Sequence, residues 1–299
     1  MKTLLSIVGT TGIGKTKLAI DLAKHFNTDI VSCDSRQFFK HMEIGTAAPT
    51  PEELAEAPHH FIGHLSVTDA YSIGQFENDA LKKLTELFQN HDIVVMVGGS
   101  MMYEKALIQG LNDLPEANEE NQIQLNTILE KEGIEKLQEI LKELDPEYYS
   151  VVHLENPRRL LRAIDVIWQT KQKYSELIDA PKPIRDFQTI RIGIEAPRET
   201  IYERINLRVE KMMENGLLKE VENLKDYQHL TSLKTVGYTE LFKYFNSEWD
   251  LDFAISEIQK NSRRFAKRQL TWYRGEDNIH WVDYQNAFQE SLSLLNKKL

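Results

Sequence analysis

The first part of the chain alternates short, continuously apolar runs with amphipathic segments. Three apolar runs are predicted strands, at residues 4–8, 29–32 and 92–97. Three segments with apolar side chains at helical spacing are predicted helices, at residues 15–26, 75–88 and 102–108. This alternation is typical of an α/β fold in which helices cover both faces of a parallel sheet. Binding residues are then expected where the strands end, at their carboxyl termini.

From about Pro115 the β-pattern disappears, and helical patterns follow at residues 120–144 and 157–172. A further apolar strand is predicted at residues 189–194, followed by long helices at 198–216 and 255–273. We therefore predict a catalytic core of residues 1–114 and 186–299, interrupted by a helical insertion domain at residues 115–185.

Composition describes an ordinary globular chain of 299 residues, with 41% hydrophobic and 27% charged residues. No apolar run approaches the roughly 20 residues of a membrane span, and the start turns glycine-rich too early for a signal peptide. The single cysteine, Cys33, allows no internal disulfide, which is typical of a reducing compartment. We expect a cytoplasmic protein without a membrane partner. Because no heptad pattern is present, we also expect a monomer.

The formal net charge of −10 argues against a protein that coats nucleic acid through bulk charge. Binding by a local basic patch stays open. Residues 263–274 interleave five basic residues with three aromatic ones. Either this segment faces phosphate, or its aromatic side chains are core and only its charges are exposed.

One motif carries specific chemistry, the P-loop pattern G-x-x-x-x-G-K-[ST]. It consists of Gly9, Thr10, Thr11, Gly12, Ile13, Gly14, Lys15 and Thr16, between a predicted strand and a predicted helix. Its glycines let backbone N–H groups surround phosphate, Lys15 adds positive charge, and the Thr16 hydroxyl is a candidate ligand for Mg²⁺. Together with the parallel sheet, this loop predicts a P-loop NTPase-like fold.

The identity of the polyphosphate is not given by this loop. The Asn-Lys-x-Asp stretch expected of GTPases is missing from the sequence. Many ATPases end a later strand with an acidic residue for Mg²⁺, whereas here residues 93–97 run into Gly98 and Gly99. The missing acidic residue weakens the interpretation of this chain as a nucleoside triphosphatase.

Further segments, in order along nearly the whole chain, resemble the tRNA dimethylallyltransferase (isopentenyltransferase) family. They are residues 34–40, 44–49, 98–103, 156–163, 208–217, 235–238 and 263–272. The resemblance is to the bacterial type, because the cysteine-histidine finger of eukaryotic members is missing. It implies transfer of a dimethylallyl group from dimethylallyl pyrophosphate to N6 of the adenosine immediately 3′ of the anticodon in tRNA, with the P-loop holding the leaving pyrophosphate.

The resemblance also implies roles for individual residues. Asp34 is the candidate that accepts the proton of the attacking amine, with Lys15 and Thr16 as further catalytic candidates. An N-cap for a helix beginning near Ser35 is the alternative role for Asp34. Arg208, with Arg204 one turn earlier, is expected to contact pyrophosphate; a solvated helix face is the alternative.

Two sets of residues are expected to contact tRNA. The first set is Asp34 itself with Ser35, Arg36, Gln37 and Ser100, and Gln37 is a candidate reader of the adenine edge after the base is flipped out of the stack. Elsewhere they are Arg158, Arg159, Leu160, Leu161, Arg162, Arg263 and Lys267. A charged exterior stripe on a bundle helix is the alternative for the three insertion arginines.

Three other functions remain open at the level of sequence. A small-molecule or nucleotide kinase shares the P-loop and a helical lid. An adenylate isopentenyltransferase shares the P-loop and an acidic residue after the second strand. A non-catalytic RNA-binding protein with a vestigial loop is the third, against which the intact Lys15, Thr16 and Asp34 argue.

Overall fold

The computed structural model describes residues 1–298, and within them the chain forms two compact units. Gln109–Ile184 is one unit, and the remainder of the described chain is the other. The insertion was predicted at residues 115–185. The helical unit begins six residues before that predicted start and ends one residue before that predicted end.

The larger unit contains a parallel sheet. Its strands are β1 (Thr3–Gly9), β2 (Ile30–Ser32), β3 (His59–His60), β4 (Ile93–Val97), β5 (Gln188–Glu195) and β6 (Ile279–Asp283). The strand order is β3-β2-β4-β1-β5-β6, and every pairing is parallel. The predicted α/β class with a parallel sheet is confirmed.

The helices of this unit surround the sheet. They are α1 (Lys15–Phe26), α2 (Glu43–Thr46), α3 (Pro51–Glu56), α4 (Ile73–Leu87), α5 (Met101–Gln109), α11 (Arg198–Glu214), α12 (Leu217–Asn223), α13 (Tyr238–Phe245), α14 (Leu251–Arg274) and α15 (Ala287–Lys298), with 3₁₀ turns at Lys225–Tyr227 and Thr231–Leu233. Across residues 1–298, no helix is both long and apolar enough to span a membrane.

Both faces of the sheet are buried, as the continuous apolar strands predict. Along β1, Leu4 belongs to one hydrophobic cluster and Leu5 to the other. Along β4, Val94 and Val95 divide in the same way. Because successive side chains of a strand point to opposite faces, buried apolar residues at consecutive positions imply a layer of helices on each side.

The smaller unit is helical. It contains α6 (Glu119–Glu132), α7 (Ile134–Leu144), α8 (Pro146–Val151), α9 (Pro157–Thr170) and α10 (Tyr174–Ile178). Helix α9 begins where Asn156 accepts a hydrogen bond from the N–H of Arg159 and Pro157 occupies the first turn. The core of this unit is mainly aliphatic and includes Leu137, Leu141 and Leu160.

The structure refines one predicted region and contains elements that were not predicted. The helical patterns predicted at residues 120–144 form two helices, because Gly133 takes a positive φ of 81° between α6 and α7. Strands β3 and β6 and helix α15 are among the elements that were not predicted. Within β6 only Val282 is buried, so the strand lacks the apolar run that marks β1 and β4.

Candidate functional site

Three loops meet at the carboxyl edge of the sheet, since β2, β4 and β1 are neighbours in the strand order. The first is the P-loop, which follows β1. The second begins at Cys33 after β2, and the third begins at Gly98 after β4. This is the place where ligands bind in open parallel sheets.

The P-loop has the backbone conformation that its glycines allow. Gly9 and Gly14 have φ angles of 140° and 110°, which are strained for any residue with a Cβ. Gly9 also lies against β5, where an added Cβ would lie 3.0 Å from the carbonyl oxygen of Ile194. Helix α1 begins directly after Gly14, so its N-terminal N–H groups face the loop.

Lys15 is folded back onto this loop. Its Nζ donates to the carbonyl oxygens of Gly9 at 3.1 Å and Thr10 at 2.8 Å. Burial lowers the pKa of Lys15 to about 8; the nearby charge of Asp34 opposes this shift and that of Arg208 adds to it. An anion in the loop would stabilise the charged form of Lys15 and be held by it.

Asp34 lies in a turn just past the end of β2. Its Oδ1 accepts a hydrogen bond from the N–H of Arg36 at 3.1 Å, and its carbonyl oxygen accepts one from the N–H of Gln37. The alternative role as an N-cap is thus corrected: residues 35–38 form turns and no helix begins there. The other carboxylate oxygen, Oδ2, lies beside Gly99, where an added Cβ would be 3.0 Å away.

The loops after β2 and β4 are in direct contact. A Cβ on Gly98 would lie 2.5 Å from Sγ of Cys33 and 2.7 Å from the backbone nitrogen of Asp34, so only glycine fits. Ser100 Oγ accepts the N–H of Ser35 at 2.9 Å, and the two hydroxyls are also 2.9 Å apart. This close approach fixes the position of Asp34 relative to β4.

Arg208 and Arg204 of α11 reach different parts of the P-loop. Arg208 is half-buried and donates to the Thr11 hydroxyl at 3.1 Å. Arg204 is exposed, donates to the carbonyl oxygen of Ile13 at 3.3 Å, and lies over the ring of Tyr284. Of the two predicted pyrophosphate ligands, Arg208 is the one within reach of both Thr11 and the charge of Asp34.

Gln37 and Arg36 hold neighbouring backbone. Gln37 Nε2 donates to the carbonyl oxygens of Ala47 at 3.0 Å and Thr46 at 3.3 Å. Arg36 donates to the carbonyl oxygens of Thr231 and Ser232 at 3.1 and 2.9 Å. The polar groups of both side chains are therefore held by backbone carbonyl oxygens next to the site.

A family model described as IPP transferase matches residues 37–276. The chain belongs to this family. It is 50% identical over 296 residues to a tRNA dimethylallyltransferase of Christiangramia forsetii, covering 99% of this chain and 98% of the relative. A tRNA dimethylallyltransferase of Flavobacterium johnsoniae is 48% identical, with 100% and 99% covered.

Solved structures of IPP transferases are similar over the whole chain. The tRNA isopentenylpyrophosphate transferase of Bacillus halodurans has a TM-score of 0.74 and 32% identity, covering 100% of this chain and 97% of its own. A eukaryotic dimethylallyltransferase acting on tRNA has a TM-score of 0.88 and 25% identity, covering 99% and 79%. The predicted P-loop NTPase-like fold is the fold of these neighbours.

The residues expected to contact tRNA in this family member differ in exposure. Arg158 and Arg159 are exposed at the start of α9. Leu161 is half-buried, and Leu160 is fully buried, so the side chain of Leu160 packs into the core of the helical unit. Arg162 donates to the carbonyl oxygen of Pro115 at 2.6 Å and so is engaged within that unit.

The two candidate tRNA contacts on α14, Arg263 and Lys267, also differ in exposure. Arg263 is half-buried and donates to Oδ1 of Asn206 at 2.6 Å, whereas Lys267 is exposed. Between them Phe265 is half-buried and Ala266 is buried. The segment 263–274 therefore combines buried and half-buried aromatic side chains with exposed charge, and contact of Lys267 with RNA stays a prediction.

Two buried polar contacts were missed by sequence reasoning. Gln269 is fully buried on α14; its Oε1 accepts from the N–H of Thr11 at 2.8 Å, and its Nε2 donates to the carbonyl oxygen of Gly99 at 2.9 Å. Arg191 of β5 and Glu104 of α5 form a buried pair with two contacts of 3.0 Å. In both cases the sequence shows a polar residue in an otherwise apolar stripe, and Gln269 also lies within the segment 263–272 that resembles the family.

The donor set for a metal ion is small. Within the described range, His, Cys, Asp and Glu form no group of three or more that could hold a metal. Thr16 is half-buried in the first turn of α1, beside the phosphate loop. Such a site fits Mg²⁺, which is commonly held by very few protein ligands together with substrate phosphate oxygens and water.

Proposed function

We propose that this protein transfers the dimethylallyl group of dimethylallyl pyrophosphate to N6 of the adenosine immediately 3′ of the anticodon in tRNA, releasing pyrophosphate. The observation that carries the proposal is the convergence of a P-loop, Asp34 and Arg208 at one edge of the sheet. The names of the relatives, tRNA dimethylallyltransferase, support the same activity.

The pyrophosphate would occupy the P-loop. Negative charge grows on the leaving group as the carbon–oxygen bond breaks, and preorganised N–H donors and cations stabilise it most at that stage. Lys15 would turn from its two carbonyl acceptors towards the phosphate oxygens, while Arg208 is already directed to the loop through Thr11. Thr10 and the glycines at positions 9, 12 and 14 complete the cradle.

Asp34 would receive the proton. The lone pair of N6 forms the new bond to the allylic carbon, the bonding pair of the carbon–oxygen bond leaves with pyrophosphate, and the N6 proton passes to a carboxylate. In Asp34, Oδ1 is held by the N–H of Arg36, which leaves Oδ2 for this role. The turn thus orients the carboxylate and keeps one oxygen available.

Mg²⁺ is the proposed cofactor. It would be held by the Thr16 hydroxyl and by the pyrophosphate oxygens, and when bound it would neutralise part of the charge of the leaving group. Thr16 supplies a single neutral ligand, so the affinity for Mg²⁺ should depend on pyrophosphate.

The tRNA substrate must present its adenine outside the anticodon stack, since N6 has to reach the half-buried Asp34 in the turn after β2. Ser35, Gln37 and Ser100 line the rim where the flipped base would enter. Arg158 and Arg159 offer exposed charge for the phosphate backbone. We further propose that the protein works in the cytoplasm, without a membrane partner, and as a monomer.

The test is incubation of the purified protein with Mg²⁺, dimethylallyl pyrophosphate and unmodified tRNA, followed by mass spectrometry of the digested nucleosides. The expected result is a dimethylallyl mass gain on the adenosine 3′ of the anticodon. Transfer to free AMP would instead identify an adenylate isopentenyltransferase. Consumption of ATP with an acceptor would identify a kinase.

A further inference from the structure

The short helix α2 is held from outside by a carboxylate. Glu220 of α12 accepts the backbone N–H of Ile44 through Oε2 and that of Gly45 through Oε1, both at 2.8 Å. These N–H groups lie in the first turn of α2, where no carbonyl of the helix itself can accept them. Glu220 therefore satisfies two donors that the helix leaves open.

A buried phenol supports the same carboxylate. Tyr238 donates its hydroxyl to Oε1 of Glu220 at 2.6 Å. Its burial and the adjacent Glu220 raise the pKa of Tyr238 well above the ordinary value, so the hydroxyl keeps its proton and remains a donor. The ring lies against Gly45, where an added Cβ would be 2.6 Å from it. Ring and carboxylate thus hold α2 together.

The other end of α2 faces the candidate site. The carbonyl oxygen of Ala47, which follows α2, accepts Gln37 Nε2 at 3.0 Å. The carbonyl oxygen of Thr46, its last residue, lies 3.3 Å from Gln37 Nε2 and 3.5 Å from Arg208 NH2. The backbone at the end of α2 is thus the shared support of the proposed adenine reader and the proposed pyrophosphate ligand.

We propose that Glu220, supported by Tyr238, is a positioning residue of the transfer reaction. It fixes α2 so that the backbone at Thr46 and Ala47 holds Gln37 and Arg208 in place together. The inference rests on the proposed function for the roles of Gln37 and Arg208. It assigns Glu220 no contact with either substrate.

The size of the effect follows from the contacts. Removing the carboxylate leaves two backbone N–H groups and one phenol without their charge-assisted acceptor. Loss of such contacts costs about 1.5–3 kcal/mol, so an apparent affinity that depends on the position of α2 should fall by about tenfold to a hundredfold. Asp34 and Lys15 are held by other loops, so the chemical step should change less.

The experiment measures steady-state kinetics of Glu220→Ala in the full chain. We expect KM to rise for both tRNA and dimethylallyl pyrophosphate, with a smaller change in kcat. Glu222→Ala is the matched control, because Glu222 is exposed on the same helix and pairs with Lys219 at 2.7 Å. Unchanged KM values in Glu220→Ala would overturn the proposal.

Double-mutant cycles separate positioning from a general loss of structure. If Glu220 acts through Gln37, its removal should weaken tRNA binding much less in a Gln37→Ala background than in the wild type. The same relation is expected between Glu220 and Arg208 for dimethylallyl pyrophosphate. Fully additive effects in both cycles would contradict the proposal, because a merely structural role predicts additivity.

Two further variants keep the test open if Glu220→Ala does not fold. Glu220→Gln has the same size but loses the charge and one acceptor, and it should show the same pattern at smaller amplitude. Tyr238→Phe keeps the ring on Gly45 and removes only the hydroxyl, so its effect should be smaller still. The opposite order of effects, with Tyr238→Phe the worse variant, would place the role in the phenol and overturn the assignment to Glu220.

Failure of the proposed function can be recognised separately. Binding of inorganic pyrophosphate to the P-loop, measured by calorimetry, needs no tRNA and no transfer. If the wild type binds pyrophosphate but does not modify tRNA, the proposed function fails. Weaker pyrophosphate binding by Glu220→Ala would then still support its action through Arg208, and equal binding would contradict it.

Discussion

The backbone N–H of Thr11 donates to Oε1 of Gln269 at 2.8 Å, although the two residues lie 258 positions apart in the chain. The same carboxamide donates to the carbonyl oxygen of Gly99 at 2.9 Å. One fully buried side chain of α14 thus joins the P-loop to the loop after β4. The relative position of these loops depends on a residue from a distant part of the sequence.

Replacing Gln269 with leucine should destabilise the protein and impair transfer. The change removes the partner of the half-buried Thr11 N–H and leaves the buried Gly99 carbonyl oxygen without its hydrogen bond, which for a buried group costs about 1–3 kcal/mol. Thermal unfolding should show a clearly lower Tm. Arg268→Gln, at the adjacent exposed position, is the control and should leave Tm unchanged. Equal Tm values for the two variants would refute the role of Gln269.

Replacing Asp34 with asparagine should separate its two roles. Asparagine can still accept the N–H of Arg36, so the turn and the Tm should be preserved. It cannot take a proton at neutral pH, so transfer should fall by a factor of about 10²–10⁴. Single-turnover transfer and tRNA binding should be measured together. Full transfer by this variant would exclude Asp34 as the proton acceptor.

The sheet could be predicted from sequence because its signal is local. Most residues of β1 and all residues of β4 are apolar, because both faces of these strands are covered, and this pattern can be read without knowing the neighbouring strands. Strand β6 has no such pattern: its first three residues are half-buried, and it is recognised only by its pairing with β5. Its position at the edge of the sheet explains why.

The site divides in the same way. The P-loop is a contiguous motif whose chemistry follows from its own residues, and Asp34 was found by resemblance of the segment that contains it. The roles of Gln269 and Glu220 could not be predicted from their own segments, although Gln269 lies in the segment 263–272 that resembles the family. Each acts on backbone groups far away in sequence, at Thr11 and at Ile44. Only the fold shows which backbone groups face these side chains.

Pyrophosphate binding should weaken at alkaline pH through Lys15. With a pKa of about 8 in the free protein, Lys15 becomes neutral above that pH and must take up a proton to hold the anion. The apparent Kd should rise by about tenfold per pH unit above this pKa. Calorimetry between about pH 7 and 9.5 measures this rise in Kd. In that range Lys15 loses its proton, whereas a lysine with an ordinary pKa keeps it. Lys15→Ala serves as the control, because it reports only the titration of pyrophosphate itself.

The same pKa shift has a consequence for stability without ligand. Because the pKa of Lys15 falls from 10.5 to about 8 on folding, the unfolded chain binds more protons between these values. The contribution of Lys15 to stability therefore rises with pH across that window. Lys15→Met should be more stable than the wild type at pH 7, and the difference in Tm should shrink as pH increases. A constant difference would contradict the shift.

The buried pair of Glu104 and Arg191 should be important for stability. Glu104 accepts two contacts of 3.0 Å from Arg191 and one of 2.9 Å from the hydroxyl of Ser6. Arg191→Met leaves a buried carboxylate without its cation and should destabilise the protein by about 3–5 kcal/mol. The double variant Glu104→Gln with Arg191→Met should recover part of this loss. Urea denaturation of both variants tests the expectation, and a double variant no more stable than the single one would contradict it.

The exposed arginines at the start of α9 should contribute to tRNA binding through phosphate contacts. Each cation that neutralises a phosphate adds about 0.7–0.9 to the slope of the logarithm of affinity against the logarithm of salt concentration. Arg158→Gln with Arg159→Gln should therefore weaken tRNA binding and reduce that slope by about 1.5. Lys136→Gln, an exposed cation already paired with Glu139 in the same unit, is the matched control. If the double variant keeps the wild-type salt slope, these arginines form a solvated helix face, and the phosphate contacts must lie elsewhere.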